Sequence, residues 1–485
     1  MNRLGFRKIA CIIAVFCAAT VVASPAQTFT RLTEFDATDG AHPLYGALLQ
    51  GTDGNFYGTT SFGGASLGGS VFNITPTGKV TTLYSFCPGA GCLDGAVPYE
   101  SPMQTVNGNF YGTTYEGGAA NDGTIFQLTP NGVLTTLHSF CSEANCADGV
   151  LPFGGLIQAQ NGNLYGVTTQ GSNVYGTVFE MTPAGKLTTL YTFCSQLNCS
   201  DGGNANSLML ASNGNFYGTT GNGGADKAGT VFQMTPSGKL TTLYSFHKND
   251  GESPRGLIQA VDGNFYGTTS YGGTFNYGVV FELTPAGQFT LLHSFCSQTN
   301  CPDGATPYAP LVQGTDGNFY GTTTFGGVAT FHNKLFVGYG TAFQITPTGG
   351  FTTLYTFCSL GGSCPDGALP NAGLTQGTDG NFYGTTTGLT QCPSACGTVF
   401  RISMGLAPFV EASPNFGRAG RTVNILGNHL TGSTSVTFNG TPATFKVASA
   451  TLIKVTVPAG ATSGTIQVTL PSGLLNSNVA FQVEP

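Results

Sequence analysis

Two segments of the chain hold side chains that are suited to acid–base chemistry or to binding a charged ligand. Together they contribute six such residues, which are His247, Asp250, Glu252, Arg255, His332 and Lys334. Imidazole and carboxylate groups transfer protons, and cationic groups hold anions. We predict that these residues line one cleft that binds a ligand. The alternative is that both segments are exposed loops without a function.

A carboxylate recurs in Asp-Gly steps along the chain. The seven positions are Asp39, Asp94, Asp148, Asp201, Asp250, Asp303 and Asp366. Seven carboxylates on one face could bind Ca²⁺ or cationic sugars. Alternatively, each Asp accepts hydrogen bonds from backbone amides in its own turn. No other cofactor and no metal ligand set is predicted.

Twelve of the fourteen cysteines form six close pairs. The pairs are Cys87/Cys92, Cys141/Cys146, Cys194/Cys199, Cys296/Cys301, Cys358/Cys364 and Cys392/Cys396. An even count of paired cysteines in a secreted chain predicts disulfides. Metal binding is the alternative, but it needs further ligands, and no His recurs beside the pairs.

The elements that position these residues come from an internal repeat. A segment close to Gly-Asn-Phe-Tyr-Gly-Thr-Thr occurs seven times, with its tyrosines 49 to 63 residues apart. They are Tyr57, Tyr111, Tyr165, Tyr217, Tyr266, Tyr320 and Tyr383. A period near fifty indicates equal supersecondary units that bury their apolar faces against one another. We therefore expect the tyrosines to pack between units, although they could instead bind sugars.

One repeat unit reads as four short antiparallel strands. In the fifth copy the predicted strands are 255–260, 264–269, 278–283 and 288–295, separated by Gly-containing turns. Residues 29–35 resemble the fourth strand of a unit but precede the first complete unit. The last unit has no fourth strand of its own after Met404. The sequence thus predicts an all-β, seven-bladed β-propeller that its N-terminal strand closes.

A glutamine near the end of the first strand of each unit is a further regular feature. It is present in six units, as Gln50, Gln104, Gln158, Gln259, Gln313 and Gln376, and Leu210 replaces it in the fourth. We predict that these side chains line the central channel and form hydrogen bonds with neighbouring backbone groups.

The repeat resembles the GloVer tandem repeats of bacterial secreted proteins. The resemblance rests on the Asp-Gly-Asn-Phe-Tyr-Gly-Thr-Thr segment, the Gly-Gly that follows it, and the strand typified by 229–236. It covers residues 28–404. It implies an extracytoplasmic protein and supplies no catalytic residues.

Residues 406–485 form a separate predicted domain with five alternating strands, at 422–426, 435–438, 452–457, 464–470 and 479–483. The tail resembles an IPT/TIG immunoglobulin-like domain. The resemblance rests on 413–414, Gly420, 424–427, 436–440 and 457–460. It implies a β-sandwich that acts as a spacer or binding module.

Residues 1–26 are typical of a secretory signal, with three basic residues before an apolar run and small residues at its end. An N-terminal membrane anchor is the alternative. Cleavage would leave a propeller domain at 27–405 and change the net charge from −7 to −10. We therefore expect a secreted or cell-surface protein, with no nucleic acid partner and no stable transmembrane span after cleavage.

Two functions are compatible with these features. The first is a non-catalytic binding scaffold for polysaccharide or for cell-envelope or extracellular protein. The second is a secreted carbohydrate-active hydrolase or lyase with its site on the cleft described above. No serine-hydrolase, zinc-protease or P-loop spacing is present, which disfavours peptidase and nucleotide-dependent chemistry.

Overall fold

The computed structural model describes residues 27–327, 330–332, 335–361, 363–388 and 396–484. The predicted signal segment and Lys334 lie outside these ranges, as does Cys392. Apart from two single-turn 3-10 helices, Ala144–Cys146 and Leu197–Cys199, the described residues form β-strands and loops. The all-β prediction is therefore confirmed.

Among the described residues, the repeat region contains seven antiparallel sheets with a common strand order, to which sheet 3 adds one strand. The first strand is β1 (Thr28–Glu34). Sheet 1 contains β2 (Leu49–Gln50), β3 (Phe56–Thr60), β4 (Ser70–Ile74) and β5 (Val80–Ser85). Sheet 2 contains β6 (Met103–Gln104), β7 (Phe110–Thr114), β8 (Thr124–Leu128) and β9 (Leu134–Ser139). Sheet 3 contains β10 (Val150–Pro152), β11 (Ile157–Gln158), β12 (Leu164–Gln170), β13 (Thr177–Met181) and β14 (Leu187–Thr192).

The remaining sheets repeat the order. Sheet 4 contains β15 (Gly203–Leu210), β16 (Phe216–Asn222), β17 (Thr230–Met234) and β18 (Leu240–Ser245). Sheet 5 contains β19 (Glu252–Gln259), β20 (Phe265–Tyr271), β21 (Val279–Leu283) and β22 (Phe289–Ser294). Sheet 6 contains β23 (Val312–Gln313), β24 (Phe319–Thr323), β27 (Thr341–Ile345) and β28 (Phe351–Thr356), with a hairpin of β25 (Thr330–His332) and β26 (Leu335–Val337). Sheet 7 contains β29 (Thr375–Gln376), β30 (Phe382–Thr386) and β31 (Thr398–Ser403).

The N-terminal strand completes sheet 7. Strand β1 pairs antiparallel with β31, with Thr28 opposite Ser403 and Glu34 opposite Thr398. This is the pairing that the strand count predicts. It covers the edge that β31 would otherwise expose and makes β1 the outer strand of sheet 7.

Neighbouring sheets are joined by a repeated aromatic contact. The strand tyrosine of one sheet packs on the first phenylalanine of the next, and Tyr383 of sheet 7 packs in the same way on Phe56 of sheet 1, with ring centroids 4.0 Å apart. The other pairs are Tyr57–Phe110, Tyr165–Phe216, Tyr217–Phe265, Tyr266–Phe319 and Tyr320–Phe382. Such pairs add about 0.5–1.5 kcal/mol each beyond area burial. The tyrosines therefore pack between sheets, as predicted.

The glutamines form a second set of contacts between sheets. Gln104 accepts a hydrogen bond from the Thr52 amide of sheet 1 at 2.9 Å. Gln50 accepts one from the Thr378 amide of sheet 7 at 2.8 Å. The same bond joins Gln259, Gln313 and Gln376 to the preceding sheets. The predicted hydrogen bonds to neighbouring backbones are present for five of the six glutamines, whereas Gln158 donates within its own turn to the Gly162 carbonyl at 3.1 Å.

The tail is a β-sandwich around its own core, which includes Ile425, Phe438 and Ile453. Its strands are β32 (Glu411–Ser413), β33 (Phe416–Arg418), β34 (Thr422–Leu426), β35 (Ser435–Phe438), β36 (Thr441–Pro442), β37 (Phe445–Val447), β38 (Leu452–Thr456), β39 (Ile466–Leu470), β40 (Gly473–Asn476) and β41 (Gln482–Glu484). The two larger sheets have the orders β32-β34-β38-β37 and β36-β35-β39-β40.

The tail contacts turns between the first and second strands of the repeat sheets. Asn428 donates to the Thr378 hydroxyl of sheet 7 at 2.9 Å. Thr451 donates to the Thr52 carbonyl of sheet 1 at 3.1 Å. These turns lie at the opposite ends of the strands from the Asp-Gly loops, so the tail leaves the face with those loops uncovered.

Candidate functional site

Only part of the predicted cleft forms direct contacts in the structure. The Nδ1 atom of His247 lies 2.7 Å from a carboxylate oxygen of Asp226, with both side chains about half exposed. This contact raises the pKa of His247. His332 is the last residue of strand β25 and is opposite Leu335 of β26.

Asp250 and Glu252 have local contacts. Asp250 accepts hydrogen bonds from the His247 amide at 2.8 Å and from the Tyr244 hydroxyl at 2.7 Å. Glu252 is half-buried and pairs with Tyr271 in the ladder between β19 and β20. Among the described residues, no hydrogen bond or ion pair joins Arg255 to His247, Asp250 or Glu252. The single six-residue cleft therefore remains a prediction.

Arg255 lies instead among aromatic side chains from other sheets. Its Nε donates to the Ser270 hydroxyl at 2.6 Å, and its guanidinium carbon lies 4.4 Å from the ring centroid of Tyr308. The Tyr308 hydroxyl is 3.0 Å from that of Tyr271. Burial lowers the pKa of Arg255, and Tyr308 and Tyr45 oppose that shift. The guanidinium nevertheless stays charged at neutral pH, since an arginine begins far above it.

Tyr45 is the centre of this region. Its ring centroid lies 5.3 Å from those of Tyr99 and Phe153 and 6.2 Å from that of Tyr308. These partners belong to sheets 2, 3 and 6. Tyr115 packs on Tyr99, with centroids 4.6 Å apart. We name Tyr45, Tyr99, Tyr115, Phe153 and Tyr308 the central aromatic cluster; all five are partly exposed.

The repeat explains why the cluster assembles. In each sheet, the loop that enters the first strand contains a residue with positive φ, such as Val97, Leu151, Ser253 or Thr306. A proline follows each of these four, and the next side chain is that of Tyr99, Phe153, Arg255 or Tyr308. Equivalent backbones therefore place these four side chains at equivalent positions, whereas Tyr45 and Tyr115 come from other positions of their units. The face that presents them is the one with the Asp-Gly loops.

Glu100 adds a carboxyl group next to the cluster. Protein atoms surround the group, and this burial raises its pKa to about 7. The side chain keeps some solvent contact. Burial likewise raises the pKa of Tyr99 to about 12. A carboxyl with this pKa is neutral for part of the time near neutral pH.

The Asp-Gly carboxylates hold their own turns. Asp148 accepts hydrogen bonds from the Ser142 amide and hydroxyl and from His138 Nε2, at 2.9–3.0 Å. Asp201 and Asp366 are held by the same kind of contacts, with Tyr191 and Tyr355 as the aromatic donors. The turn alternative thus describes the contacts that are present, and Ca²⁺ binding on this ring stays an untested prediction.

Five of the predicted cysteine pairs are joined as disulfides. They are Cys87–Cys92, Cys141–Cys146, Cys194–Cys199, Cys296–Cys301 and Cys358–Cys364. Each of these five closes the loop just before a first strand. The disulfide therefore fixes the segment that leads into the central aromatic cluster or its equivalent in that sheet.

The sixth predicted pair, Cys392 with Cys396, differs from the other five. Cys396 lies between β30 and β31 rather than before a first strand. It is fully buried, in the core between sheets 7 and 1 that also contains Phe35, and its carbonyl accepts the His42 amide at 2.8 Å. Cys392 lies outside the described residues. The pairing of Cys396 with Cys392 therefore stays a prediction, and it would not fix a loop of the kind that the other disulfides close.

Sequence reasoning missed the aromatic members of the cluster. A signal was available in the copies themselves, because Tyr99, Phe153 and Tyr308 each follow a proline at the same position of the unit. Aligning the copies on that proline would have placed Arg255 in the same column. Only Arg255 was identified from the sequence, and it was grouped with its chain neighbours.

These features define a class of repeat protein. Its four-stranded antiparallel sheets pack against one another through apolar side chains, and a small β-sandwich follows them in the chain. The chain belongs to the Gloeobacter/Verrucomicrobia repeat family, whose profile matches residues 19–198 and 170–400. The IPT/TIG domain profile matches residues 409–483. Both resemblances inferred from the sequence are confirmed.

Solved structures with propeller-like folds are similar to this chain. A streptogramin B lyase covers 78% of the chain and is itself covered over 97%, with 13% identity and a TM-score of 0.52. The extracellular domain of a one-component system protein from B. thetaiotaomicron covers 95% and is covered over 58%, with 12% identity and a TM-score of 0.51. Identities this low establish a shared fold alone. No curated protein sequence matches the chain.

Within the described part of the chain, there is no helix with the length and apolarity needed to span a bilayer.

Proposed function

We propose that this protein is a non-catalytic, extracytoplasmic binding protein whose ligand rests on the central aromatic cluster. The observation that carries the proposal is the convergence on Tyr45 of aromatic side chains from sheets 2, 3 and 6. A partly exposed apolar patch with a few polar groups is the usual form of a ligand site.

We further infer that the seven sheets are the blades of a closed β-propeller. In an open stack, each sheet contacts only its neighbours in sequence. Here sheet 7 contacts sheet 1 through Tyr383 and Phe56 and through Thr378 and Gln50. Tyr45 of sheet 1 also contacts sheet 6. On this arrangement the cluster lies over one end of a central channel, and the tail lies at the other end.

An extracytoplasmic location fits the disulfides. Five short-range disulfides are expected in an oxidising compartment and are rare in a reducing cytosol. The segment 1–26 supplies a signal for export, and a solved structure similar in fold is an extracellular domain. The tail then serves as a spacer or as a second binding module.

The test is a ligand screen with the mature protein against polysaccharides and cell-envelope fragments. Tyr99→Ala removes a ring at the centre of the cluster, and Tyr277→Ala removes a ring that is 44% exposed on the loop between β20 and β21. We expect the first variant to lose binding by about tenfold or more, as for a buried aromatic anchor, and the second to bind normally. Equal binding by the wild type and both variants would refute the proposal.

Glu100 favours a second candidate function, that of a carbohydrate-active hydrolase or lyase. A carboxyl whose pKa is raised to about 7 is suited to act as a general acid or base. If the second candidate is right, wild-type protein will cleave a bound glycan, and Glu100→Gln will bind it without cleaving it. Mass spectrometry of the glycan after incubation distinguishes the two functions, since the first predicts intact glycan with both proteins.

A further inference from the structure

We propose that Arg255 binds the carboxylate of an acidic sugar, such as a hexuronate, whose ring rests on the central aromatic cluster. This inference depends on the proposed binding function and adds the chemical class of the ligand. It is argued from the position of Arg255 in the repeat, its contacts and the groups around it.

The backbone at Arg255 departs from a regular ladder. The pairing of β19 with β20 shifts between Pro254 and Leu257, so Arg255 and Gly256 form a bulge in the first strand of sheet 5. Gly256 has φ 145°, a value that side-chain-bearing residues rarely adopt. Bulges redirect side chains and are frequent beside functional sites. Arg255, which lies over the ring of Tyr308, is thus one of the two residues of this bulge.

Arg255 is the charged residue of its column. The equivalent position, two residues after the positive-φ residue, holds Leu44, Tyr99, Phe153, Asn206, Tyr308 and Asn371 in the other sheets. Where this position is polar it supports the scaffold: Asn206 donates to the Pro254 carbonyl at 2.8 Å. The repeat therefore folds without an arginine at this position, which leaves the charge without a scaffold requirement.

The guanidinium has no counterion among the described residues. Its Nε donates to the Ser270 hydroxyl and its carbon lies over the ring of Tyr308, and an arginine has five N–H donors, which is more than these contacts use. Among the described residues, no carboxylate is within ion-pair distance of it. A largely buried cation without a counterion is costly, and an anionic ligand group would offset that cost. The terminal nitrogens match the two oxygens of a carboxylate.

The neighbouring groups favour a hydroxylated ring over a purely apolar one. The rings of Tyr45 and Tyr99 offer flat faces, and neither hydroxyl has a hydrogen-bond partner among the described residues. A sugar presents C–H faces to aromatic rings and hydroxyls to phenols, while a uronate adds a carboxylate for Arg255. These are the three kinds of group that the site offers.

The experiment compares matched ligands on wild-type protein by calorimetry, so that no variant has to fold. Trigalacturonate is the charged probe, and its methyl ester and galactotriose are the neutral controls. We expect binding of trigalacturonate to be about 10–100-fold tighter than that of its ester, the range for one charged hydrogen-bonded pair. Equal binding of the three sugars, or binding of the neutral ones alone, would overturn the proposal.

Two variants add a test on the protein side. Arg255→Gln removes the charge and is expected to bind trigalacturonate with the affinity of the ester, whereas galactotriose is unaffected. Arg255→Lys keeps the charge without the fork and is expected to fall between the two. If Tyr99→Ala weakens binding while Arg255→Gln does not, the acidic-sugar inference fails and the binding function stands. If neither Tyr99→Ala nor Arg255→Gln changes the binding of any sugar, the binding function and the acidic-sugar inference both fail.

Discussion

Replacing Gln50 by Leu tests whether a glutamine hydrogen bond stabilises the interface between sheets 7 and 1, as it does between other neighbouring sheets. Gln50 is 9% exposed, and its side-chain oxygen accepts the Thr378 amide at 2.8 Å. Thr378 is fully buried. Leucine has a similar size and cannot accept a hydrogen bond. The variant therefore leaves a buried N–H without a partner.

The matched control is Gln259→Leu. Gln259 accepts the amide of Ser212 at 2.8 Å, and Ser212 is exposed. It also donates to the Gly263 carbonyl at 3.2 Å. The control thus removes two hydrogen bonds, but water can replace the lost partner of the Ser212 amide.

A buried donor left without a partner costs about 1–3 kcal/mol, whereas exposed substitutions mostly stay within about 0.5 kcal/mol. We therefore expect Gln50→Leu to lower the free energy of unfolding by about 1–2 kcal/mol more than Gln259→Leu. Urea titration of the full chain measures the difference. Hydrogen exchange adds a local readout, because the Thr378 amide should exchange faster in Gln50→Leu alone.

The reasoning fails if the two variants are equally stable, or if Gln259→Leu is the less stable one. Unchanged protection of the Thr378 amide in Gln50→Leu would also contradict it. Either result would mean that the bond between Gln50 and Thr378 does not hold sheets 7 and 1 together, and the inference of a closed ring would lose one of its three supporting contacts.

Three further changes have defined outcomes. Replacing Cys194 and Cys199 by Ser opens a short loop and is expected to lower the free energy of unfolding by about 2 kcal/mol, as the chain-entropy model gives for a loop of this length. Urea titration with and without reductant measures this loss. A wild-type protein whose stability does not change with reductant would contradict the prediction. Burial would raise the pKa of Asp148, but its hydrogen bonds prevail and lower it, so its contribution to stability is present above about pH 4 and is lost as pH falls through the depressed pKa. Asp148→Asn should therefore flatten the loss of stability below pH 4, and an unchanged acid slope would be inconsistent with this account. Tyr383→Phe removes only a hydroxyl and should lower the free energy of unfolding by about 1 kcal/mol. Tyr383→Ala also removes the ring packed on Phe56 and should lower it by about 3–5 kcal/mol. Equal losses of stability in thermal unfolding would argue against that packing.

Much of the fold could be predicted because the same sequence pattern occurs seven times, and the copies indicate the same strands and turns. In the fifth copy the predicted strand 278–283 is observed as Val279–Leu283, and 288–295 as Phe289–Ser294. The pairing of β1 with β31 also followed from counting strands. The short tail strands β32, β33, β36, β37 and β40 were missed, since two to four residues are too few to show an alternating pattern.

The candidate site was less predictable. His247 and Arg255 are close in sequence, yet their contacts differ: His247 contacts Asp226, and Arg255 contacts Tyr308. The bulge at Arg255 and Gly256 leaves no mark in the hydrophobic pattern of the sequence. Proximity in the chain is therefore a poor guide to proximity at a strand end.

The sequence by itself determined the repeated strands, five of the cysteine pairs and the sheet that the N-terminal strand completes. Each of these depends on contacts within one unit or on the number of units, and both are written in the local order of residues. Only the tertiary structure decided which side chains share the site. Tyr45 meets Tyr308 across 263 positions of the chain because equivalent strand ends converge, and convergence is a property of how the sheets pack, which no single unit encodes.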